Sequence, residues 1–590
     1  MNPTDIRNPE YFHKVIDCQH ACPAHTPVPE YIRLIADGRY SDAYMINWVS
    51  NVFPGVLGRT CDRPCEPACR RGRVEEEPVA ICRLKRVAAD FKSDISHRIP
   101  GPAASKNGKK IALIGAGPAS LTVARDLAPL GYDLHVFDEQ FAGGGFMRSQ
   151  IPSFRLPEEV LNEEVGYILN MGVVSHFNHY VDSLNHLLEQ GYDAVFVGSG
   201  APKGKDLPEL EGRMEAASRI HIGINWLANV AFGHTKEIGE KVLVIGGGNT
   251  AMDCCRTSRR LGGRDVRVVV RSPLNEMKAS PWEIEDAQHE DIPFYNLHSP
   301  LRFVIRDGQL KGMDFEVVQA RYDQGRRTLV PTGEVVFMEA DDVILAIGQE
   351  NSFPWIERDL GLDFDKWGMP VLNPDTFQST LPKVFFGGDA AFGPKNVITA
   401  VAQGHAAAIS IDLFCQGKSP AERPGPLTNL MLQKMGIHEW SYDNQTTPDL
   451  RFKVPHADKT KTLSDRMLEV ELGFSRETAF HEAQRCLNCD VQTVFTASRC
   501  IECDACVDIC PTTCITFTDN GEEDELRTRL NAPANNKSQD LYVADGLKTL
   551  RVMVKDENLC LHCGLCAERC PTTAWDMQKY LYHAPKACVL

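Results

Sequence analysis

The stretch KKIALIGAGPAS, residues 109–120, decides the fold of the central part of the chain. Its apolar run predicts a buried strand, and the glycines predict a tight turn that opens a helix. Gly115 permits the turn, and Gly117 lets the backbone approach a pyrophosphate at the helix N-terminus. Ser120 stands at the third glycine position of G-x-G-x-x-G and is small enough for close packing. A second strand ends at Asp138, where an acid is expected to accept a ribose hydroxyl.

The pattern recurs in EKVLVIGGGNTAMDC, residues 240–254, which supplies Gly246, Gly248 and Ala251. Here the second strand runs into Arg271 instead of an acid. An acid suits the ribose diol, whereas an arginine suits the additional phosphate of NADP. Two such folds imply two dinucleotides, so we predict FAD in the first fold and NADP(H) in the second, with NAD(H) as the alternative.

A third segment, PKVFFGGDAAFGPKNVITAVAQGHAAA at residues 382–408, predicts a strand, a Gly-Gly-Asp turn and a helix. Asp389 at this turn is suited to bind the ribityl chain and phosphates of FAD, and the alternative is a simple helix cap. The helix that follows is expected to point its N-terminus at the flavin.

The last hundred residues carry C-x2-C-x2-C-x3-C-P twice. In this motif three close thiolates bind one cubane cluster and the fourth cysteine reaches the other. The motif predicts a two-[4Fe-4S] ferredoxin-like module that moves single electrons. Its predicted ligands are Cys500, Cys503, Cys506, Cys510, Cys560, Cys563, Cys566 and Cys570.

Composition limits the class of protein. The 590 residues are too many for one core, and 43% hydrophobic with 24% charged residues is typical of soluble globular proteins. A net charge of -16 argues against nucleic acid as a partner. We expect no membrane span and no signal sequence, and therefore a cytoplasmic location. In a reducing compartment the 21 cysteines, clustered near both ends, indicate metal binding instead of disulfides.

Taken together, these motifs resemble the flavoprotein small subunit of glutamate synthase and its relatives. These relatives include the N-terminal half of dihydropyrimidine dehydrogenase and the NADPH-binding subunit of electron-bifurcating transhydrogenases. The stretches that carry the resemblance are GRTCDRPCEPACRRG (58–72), VAICRLKR (79–86), GAGPAS (115–120), GGGFMRSQIPSFRLP (143–157), VIGGGNTAMDC (244–254), AIGQ (346–349) and GGDAA (387–391).

The resemblance implies an FAD domain interrupted by the nucleotide domain, with Arg148 and Arg155 near FAD and the domain interface. Two positions depart from the family. Arg271-Ser272 replaces Arg-Arg, which weakens the expected preference for NADPH over NADH, and Gln150 replaces a glycine near the flavin. The predicted cofactor contacts are Gly115, Gly117, Ser120, Asp138, Gly145, Arg148, Arg155, Gly246, Gly248, Asn249, Thr250, Ala251, Arg271, Gly348, Gly388, Asp389 and Val397.

The remaining clustered cysteines suggest two further clusters. In the dehydrogenase relative an RCLxC pair lies just upstream of a CxxxCP pair, whereas here the corresponding pair is at the other end of the chain. We therefore expect the two ends to meet, with one cluster bound by Cys18, Cys69, Cys486 and Cys489. The second is expected to use Cys22, Cys61 and Cys65, with Cys82 or another residue as the fourth ligand. Cys82 is favoured because Lys85 occupies the family position of an oxygen ligand and has no lone pair. A structural zinc ion is the alternative.

The fold class predicted is α/β, with two nested Rossmann-like domains, a helical iron–sulfur domain before them and an α+β bacterial-ferredoxin-like domain after them. An amphipathic stretch near 462–485 is expected to pack on the first domain, and the polar insertion at 521–540 to be an exposed loop or a partner contact. The predicted boundaries are 1–92 for the helical iron–sulfur domain, 93–108 for a linker, 109–214 and 346–415 for the FAD domain, 215–345 for the NAD(P)H domain, 416–494 for a connector and 495–590 for the ferredoxin-like domain.

These parts predict an FAD-dependent NAD(P)H oxidoreductase with four [4Fe-4S] clusters. NAD(P)H donates a hydride and a cubane accepts one electron, so FAD is the expected converter. Neither a catalytic acid–base residue nor a thiol–disulfide mechanism is predicted. We favour a subunit that exchanges electrons between NADP(H) and ferredoxin or another redox subunit of a hetero-oligomeric complex, with bifurcation as an option. The alternatives are the glutamate synthase small subunit and a non-enzymatic iron–sulfur scaffold.

Overall fold

The computed structural model describes residues 1–6, 8, 11, 15–75, 77–431, 447–519, 521–530 and 540–588. Its strands are β1 (Lys110–Ile114), β2 (Asp133–Phe137), β3 (Val174–His176), β4 (Ala194–Val197), β5 (Lys203–Gly204), β6 (Ile220–Ile222), β7 (Lys241–Ile245), β8 (Asp265–Val270), β9 (Phe294–Asn296), β10 (His298–Arg306), β11 (Gln309–Asp323), β12 (Arg326–Glu339), β13 (Asp342–Leu345), β14 (Gln349–Glu350), β15 (Val384–Phe386), β16 (Leu427–Met431), β17 (Val491–Phe495), β18 (Ile515–Asp519), β19 (Tyr542–Val543), β20 (Arg551–Lys555) and β21 (Trp575–His583).

The helices of the described residues alternate with these strands in the centre and gather at the N-terminus. The α-helices are Asp17–Ala21, Val28–Ala36, Tyr40–Asn51, Pro54–Thr60, Gly72–Glu75, Ile81–Phe91, Pro118–Leu127, Phe146–Ser149, Glu158–Leu169, Leu184–Glu189, Gly223–Ala231, Asn249–Arg260, Pro281–His289, Asp389–Phe392, Val397–Cys415, Lys459–Ser464, Arg476–Ala483, Ala505–Ile509, Glu523–Arg529 and Leu565–Arg569.

Two parallel five-stranded sheets form the centre of the molecule. The first has the order β15-β4-β1-β2-β3, and the second has the order β6-β13-β7-β8-β9. Strand order reverses beside β1 in the first sheet and beside β7 in the second. In open α/β sheets such a switch point leaves a crevice at the carboxyl ends of the strands, where ligands bind. Both glycine turns of the sequence follow these two strands.

The second sheet carries an addition that the sequence did not reveal. Strands β10, β11 and β12 form an antiparallel three-stranded sheet. Its Phe303 and Phe315 are buried in one apolar cluster with Leu243 and Ile245 of β7. The antiparallel sheet therefore covers one face of the second parallel sheet.

A short two-stranded ribbon joins the two nested folds. The chain passes between them at β5 and returns at β14, and these two strands pair antiparallel with each other. The Lys203 ammonium lies 2.8 Å from the Glu350 carboxylate across this ribbon.

The N-terminal helices dock on the first fold through a buried carboxylate. Glu164 accepts hydrogen bonds from the backbone N–H groups of Gly55 (2.6 Å) and Val56 (3.0 Å), at the start of helix Pro54–Thr60. The Tyr44 hydroxyl donates to the same carboxylate at 2.8 Å. Burial raises the pKa of Glu164 to about 7. The carboxylate satisfies helix N–H groups that have no partner within the helix.

Segments from the far end of the chain pack on the same helices. Arg33 donates to both carboxylate oxygens of Asp490, at 2.7 and 2.5 Å. Helix Arg476–Ala483 packs on Val28–Ala36 and Ile81–Phe91, so this part of the 462–485 stretch contacts the first domain as predicted. Helix Lys459–Ser464 contacts helix Asn249–Arg260 of the second fold instead. One continuous buried core extends from these helices to the first sheet and to the ferredoxin-like module.

The C-terminal module contains two three-stranded antiparallel sheets. One has the order β18-β20-β19, and in the other β21 lies between β16 and β17. Of the polar insertion at 521–540, the structure describes helix Glu523–Arg529. Its residues 531–539 lie outside the described ranges.

Candidate redox site

The first glycine turn forms a cradle with room for backbone only. Gly115 has φ +86°, and a Cβ atom there would lie 2.7 Å from the carbonyl oxygen of Gly198. A Cβ on Gly145, which has φ +51°, would lie 2.8 Å from the Cα of Gly117. Three loops thus meet at distances that side chains would prevent, which suits the close approach of a pyrophosphate.

Asp138 and Ser120 complete this end of the site. The Asp138 carboxylate accepts the N–H of Ala116 at 2.6 Å and the N–H of Gln140 at 2.8 Å. Burial raises its pKa. Ser120 is fully buried, and a Cβ on Gly198 would lie 2.3 Å from its hydroxyl. Asp138 therefore holds the turn, and Ser120 fills the packing position of the missing third glycine.

The Gly-Gly-Asp turn lies across the same cavity from the first glycine turn. Gly388, Asp389 and Val397 line it together with Gly115 and Gly117. Asp389 accepts the N–H of Lys395 at 2.9 Å, and burial raises its pKa to about 6. The cavity therefore has a glycine cradle at one end and a half-buried carboxyl group beside a helix N-terminus at the other.

The two predicted arginines have different surroundings. Arg148 donates to the carbonyl of Gly143 at 2.8 Å and to Asn162 at 2.6 Å, so it braces the glycine loop from behind. Arg155 lines the cavity and donates to Asp253 at 2.6 Å and to Glu283.

This Arg155 contact joins the first fold to the second. Burial lowers the pKa of Arg155, but the two carboxylates more than offset it and raise the pKa above its ordinary value. Burial raises the pKa of Asp253 to about 6. These carboxylate partners could not be predicted from local patterns, because they are distant from Arg155 along the chain.

The second glycine turn repeats the arrangement of the first. Gly246 has φ +143°, and a Cβ there would lie 2.2 Å from the carbonyl oxygen of Ala346, which follows β13. Gly246, Gly248, Arg271 and Gly348 line one cavity. Ala251 is buried at the start of helix Asn249–Arg260, where the fingerprint needs a small residue.

The two cavities meet at this helix. Thr250 lines both of them, and its neighbour Asn249 lines the first. The Asn249 amide donates to Asp62 at 3.2 Å and accepts the N–H of Ser280 at 2.8 Å. A cofactor in the second cavity would therefore reach the first cavity past Thr250.

Sequence reasoning missed several residues of these cavities. Lys205, Lys278 and Arg327 join Arg271 around the second cavity. Asp62 and Gln349 line the first cavity, as does Gln150, the family departure noted above. Arg327 comes from the antiparallel sheet, so no local pattern could have connected it with Arg271.

The two ends of the chain meet around one small buried void. Cys18, Cys69, Cys486 and Cys489 line it, together with Arg70. Burial and the neighbouring thiols raise the pKa of Cys18 well above its ordinary value. We call these four cysteines the junction set.

A second group of cysteines lies beside the first cavity, because Cys61 stands between Thr60 and Asp62, which line that cavity. Cys82 lies within hydrogen-bonding reach of both Cys61 and Cys65, and this contact, together with burial, raises the pKa of both thiols. Lys85 is buried beside Cys22, Cys61, Cys65 and Cys82, and although burial lowers its pKa, these thiols raise it above its ordinary value. We call these four cysteines the flavin-side set.

The eight C-terminal cysteines pair across the two motifs. Burial and the thiolate of Cys570 raise the pKa of Cys500 and Cys506. Burial and the thiolates of Cys560 and Cys510 raise the pKa of Cys563. The fourth cysteine of each motif thus lies with the first three of the other. We call Cys510, Cys560, Cys563 and Cys566 the inner set, and Cys500, Cys503, Cys506 and Cys570 the outer set.

The spacing of the thiols differs between the sets. In the part of the chain that the structure describes, no three cysteine sulfurs lie within 4.8 Å of one another. A zinc ion with bonds of about 2.3 Å needs four sulfurs roughly 3.8 Å apart, whereas a cubane separates its four thiolates with iron and sulfide. Within the flavin-side set, however, Cys82 lies within hydrogen-bonding reach of Cys61 and Cys65, so the spacing there fits either kind of metal site.

The inner set contacts the junction set directly. His562 donates through Nδ1 to the carbonyl of Cys489 at 3.1 Å and lies 3.0 Å from Glu557 through Nε2. Arg70 donates to the backbone carbonyls of Glu557 and Cys560. Burial lowers the pKa of His562, but Cys560 and Glu557 raise it above its ordinary value.

The cysteines of the nucleotide folds are placed differently. Cys254 and Cys255 are fully buried, and their thiols donate to the carbonyls of Gly223 (3.8 Å) and Met252 (3.2 Å). Burial raises the pKa of both thiols. Neither lines the first cavity, so they form no redox pair beside it.

Family models match three parts of the chain. Residues 109–404, half of the chain, match pyridine nucleotide-disulphide oxidoreductases. The chain belongs to this family. Residues 13–96 match the 4Fe-4S domain II of dihydropyrimidine dehydrogenase, and residues 499–574 match the 4Fe-4S dicluster domain. The predicted fold class, the class of enzyme and the kinds of cofactor are confirmed. The number of clusters and the ligand of each stay predictions.

Three curated relatives align with most of the chain. The NADP(+)-dependent formate dehydrogenase subunit beta of Moorella thermoacetica is 34% identical over 505 residues, covering 80% of this chain and 70% of that protein. The NADPH-Fe(3+) oxidoreductase subunit beta of Geobacter sulfurreducens is 32% identical over 527 residues, covering 82% and 77%. The glutamate synthase [NADPH] small chain of Escherichia coli is 31% identical over 417 residues, covering 67% and 87%. The last match confirms the family resemblance that the motifs suggested.

Among the described residues, one helix, Val397–Cys415, is long and apolar enough to cross a membrane by length and composition, with a mean hydropathy of 1.4. However, 61% of it is buried inside the protein. A Cβ on its Gly404 would lie 2.6 Å from the carbonyl oxygen of Ala119 in helix Pro118–Leu127. The packing against this neighbour accounts for the small and apolar composition of the helix.

Proposed function

We propose that this chain is the subunit through which electrons from NADPH enter a larger redox complex. From this chain the electrons pass to a partner subunit of the complex. Two of the relatives described above are named as beta subunits of NADP- or NADPH-linked enzymes, which supports this role. A cytoplasmic location is part of the proposal, because thiols that bind clusters need a reducing compartment.

The residues of the two cavities are assigned to the two dinucleotides. We assign the first cavity, with Gly115, Asp138 and Asp389, to FAD. The second, with Gly246 and Arg271, is assigned to NADP(H). When bound, FAD accepts a hydride and releases electrons singly, and clusters carry single electrons. Arg155 would hold the two folds in the register that this transfer needs.

The observation that carries the proposal is the connection of the four cysteine sets in series. Cys61 of the flavin-side set stands between Thr60 and Asp62, which line the flavin cavity. The flavin-side and junction sets share the helix from which Cys18 and Cys22 extend, four residues apart. The contact of His562 with the Cys489 carbonyl then links the junction set to the inner set.

The outer set is the proposed exit. The two motifs are alike, yet equivalent positions differ in exposure. His562 in the inner motif is 3% exposed, whereas Glu502 at the same position of the outer motif is partly buried, and Leu561 is partly buried where Ile501 is 58% exposed. The inner set is therefore the more enclosed of the two, although its Cys563 is exposed. A partner can reach the outer set without displacing any part of the described chain.

A matched pair of variants tests this order. Cys503→Ser and Cys563→Ser change equivalent, exposed positions of the two motifs. With NADPH under anaerobic conditions, Cys503→Ser should still show the paramagnetic signal of the inner cluster. Cys563→Ser should show no NADPH-reduced outer cluster, although dithionite reduces it. NADPH reduction of the outer cluster in Cys563→Ser would contradict the order.

The match with the glutamate synthase small chain favours a second candidate, electron supply for glutamate formation. Purification of the native complex separates the two. Glutamate produced from glutamine and 2-oxoglutarate by a co-purified subunit would support the second candidate. A co-purified subunit that reduces or oxidises another substrate with NADP(H) would support the first.

A further inference from the structure

The second cavity is lined by an arginine, Arg327, that comes from outside the dinucleotide fold. Strand β8 ends at Val270, and Arg271 after it lines the cavity. Arg327 lies on β12 of the antiparallel sheet and lines the same cavity, as does Glu276. The loop after the second strand is where Rossmann folds distinguish a ribose diol from a 2′-phosphate. Arg327 is therefore placed at the part of the site that decides nucleotide choice.

An acidic residue fixes the position of Arg327. Its guanidinium donates to Glu276 at 2.6 Å, and the Tyr322 hydroxyl donates to the other oxygen of that carboxylate. The Arg327 and Glu276 side chains are 29% and 30% exposed, so the pair faces the open cavity and not the protein core. A guanidinium has five N–H donors, and among the described residues Arg327 uses its donors for Glu276 alone. Donors are therefore left for a ligand.

Glu276 without Arg327 would favour the wrong nucleotide. A free carboxylate at this loop accepts hydrogen bonds from the 2′- and 3′-hydroxyls of NADH and repels a 2′-phosphate. The phosphate carries between one and two negative charges at neutral pH, and Ser272 offers no charge where the family has a second arginine. A neutralised Glu276 and a second guanidinium would together restore the preference for NADP(H).

We propose that Arg327, held by Glu276, is the second arginine that binds the 2′-phosphate of NADP(H). The inference rests on the proposed function, in which this cavity binds that nucleotide. Charge-assisted hydrogen bonds to phosphate are about twice as strong as neutral ones, so loss of one measurably changes affinity. NAD(H) lacks the phosphate, and its affinity should be insensitive to Arg327.

Calorimetric binding of NADP+ and NAD+ to the purified full-length protein tests the inference without turnover. Arg327→Gln should raise the Kd of NADP+ about 10- to 100-fold, or about 1.4 to 2.8 kcal/mol, and change the Kd of NAD+ less than about threefold. The double variant Arg327→Gln/Glu276→Gln should bind NADP+ more tightly than Arg327→Gln alone, because it lacks the Glu276 carboxylate that would otherwise repel the 2′-phosphate. A steady-state assay should show the same change in the ratio of kcat/KM values for NADPH and NADH.

The controls separate this inference from the proposed function. Arg271→Gln should weaken NADP+ binding whether or not Arg327 takes part. If Arg271→Gln weakens NADP+ binding and Arg327→Gln does not, the role of Arg327 is refuted, whereas the assignment of the cavity to NADP(H) is kept. The same holds if, besides Arg271→Gln, Lys278→Gln weakens NADP+ binding and Arg327→Gln does not. If Arg271→Gln and Arg327→Gln both leave NADP+ binding unchanged, the assignment of the cavity fails as well. Equal losses for NADP+ and NAD+ in Arg327→Gln would indicate a structural role and overturn the inference.

Discussion

Removal of the thiol of Cys486 should disconnect the two ends of the chain. Cys486 and Cys489 face Cys18 and Cys69 across one buried void, and about 420 residues separate Cys69 from Cys486. If a cluster joins these four thiols, Cys486→Ser should lower the iron content by about 4 atoms in roughly 16 per chain. The signal of one cluster should also disappear from the low-temperature spectrum of the reduced protein.

The same variant should lose stability. By the chain-entropy relation for cross-links, closing a loop of about 420 residues stabilises the folded protein by on the order of 5 to 6 kcal/mol. Arg33 with Asp490 and the packing of helix Arg476–Ala483 still hold the two ends together, so the measured loss should be smaller. Chemical denaturation under anaerobic conditions measures it.

The control is a cysteine outside the four sets. Cys415→Ser makes the same chemical change at the end of helix Val397–Cys415 and should leave the iron content as it is. An unchanged iron content and spectrum in Cys486→Ser would refute the junction set. A loss of iron that was equal in Cys415→Ser would mean general damage to the protein, and the end-to-end cluster would then lose its support.

Three further predictions concern the dinucleotide folds. Gly404→Val should destabilise the protein by about 1 to 3 kcal/mol and lower the flavin content, because the new side chain would overlap a backbone carbonyl of the neighbouring helix; thermal unfolding and flavin absorbance check this. Arg155→Ala leaves Asp253 buried without its ion-pair partner and leaves Glu283 with Arg256 alone, at 3.6 Å; it should cost roughly 3 to 5 kcal/mol in urea unfolding, whereas a retained midpoint would show that the pairs are dispensable. Burial raises the pKa of Asp389 to about 6, above roughly 3.9 in an unfolded chain, so the flavin-free folded state binds more protons between these values. Its contribution to the free energy of unfolding is complete below about pH 4 and is lost as the pH rises to 6. Urea titrations at pH 4.5 and 7 should therefore differ by on the order of 2 kcal/mol because of this group, and Asp389→Asn should remove that difference.

Local patterns predicted the parts of the site that depend on backbone geometry. Gly115 and Gly246 mark turns in which a side chain would collide with the neighbouring strand, and such a requirement is visible in a short stretch of sequence. The repeated cysteine spacing is equally local. Asp138 was expected to face a ribose, and its carboxylate also bonds to the turn at Ala116.

Contacts between distant segments could not be predicted in this way. Arg155 was expected near the domain interface from the resemblance, but its partners on helix Asn249–Arg260 and helix Pro281–His289 follow only from how the two folds pack. Arg327 reaches Arg271 because an antiparallel sheet, for which we predicted nothing, covers the second parallel sheet. Charge patterns along the chain do not predict such contacts, because the residues in contact belong to different secondary-structure elements.

The two ferredoxin motifs show where this limit matters for function. Both have the same cysteine spacing and the same proline, so the sequence makes them equivalent. The surroundings distinguish them. At the inner motif, Arg70 donates to the backbone carbonyl of Cys560, and His562 donates to the carbonyl of Cys489. At the outer motif, Ile501 remains exposed. The two motifs, equivalent in sequence, are made different by their contacts with the helical domain at the other end of the chain. The order of the clusters is therefore a property of the docking between the termini, and a variant that loosens this docking should slow reduction of both C-terminal clusters by NADPH while leaving the flavin reducible.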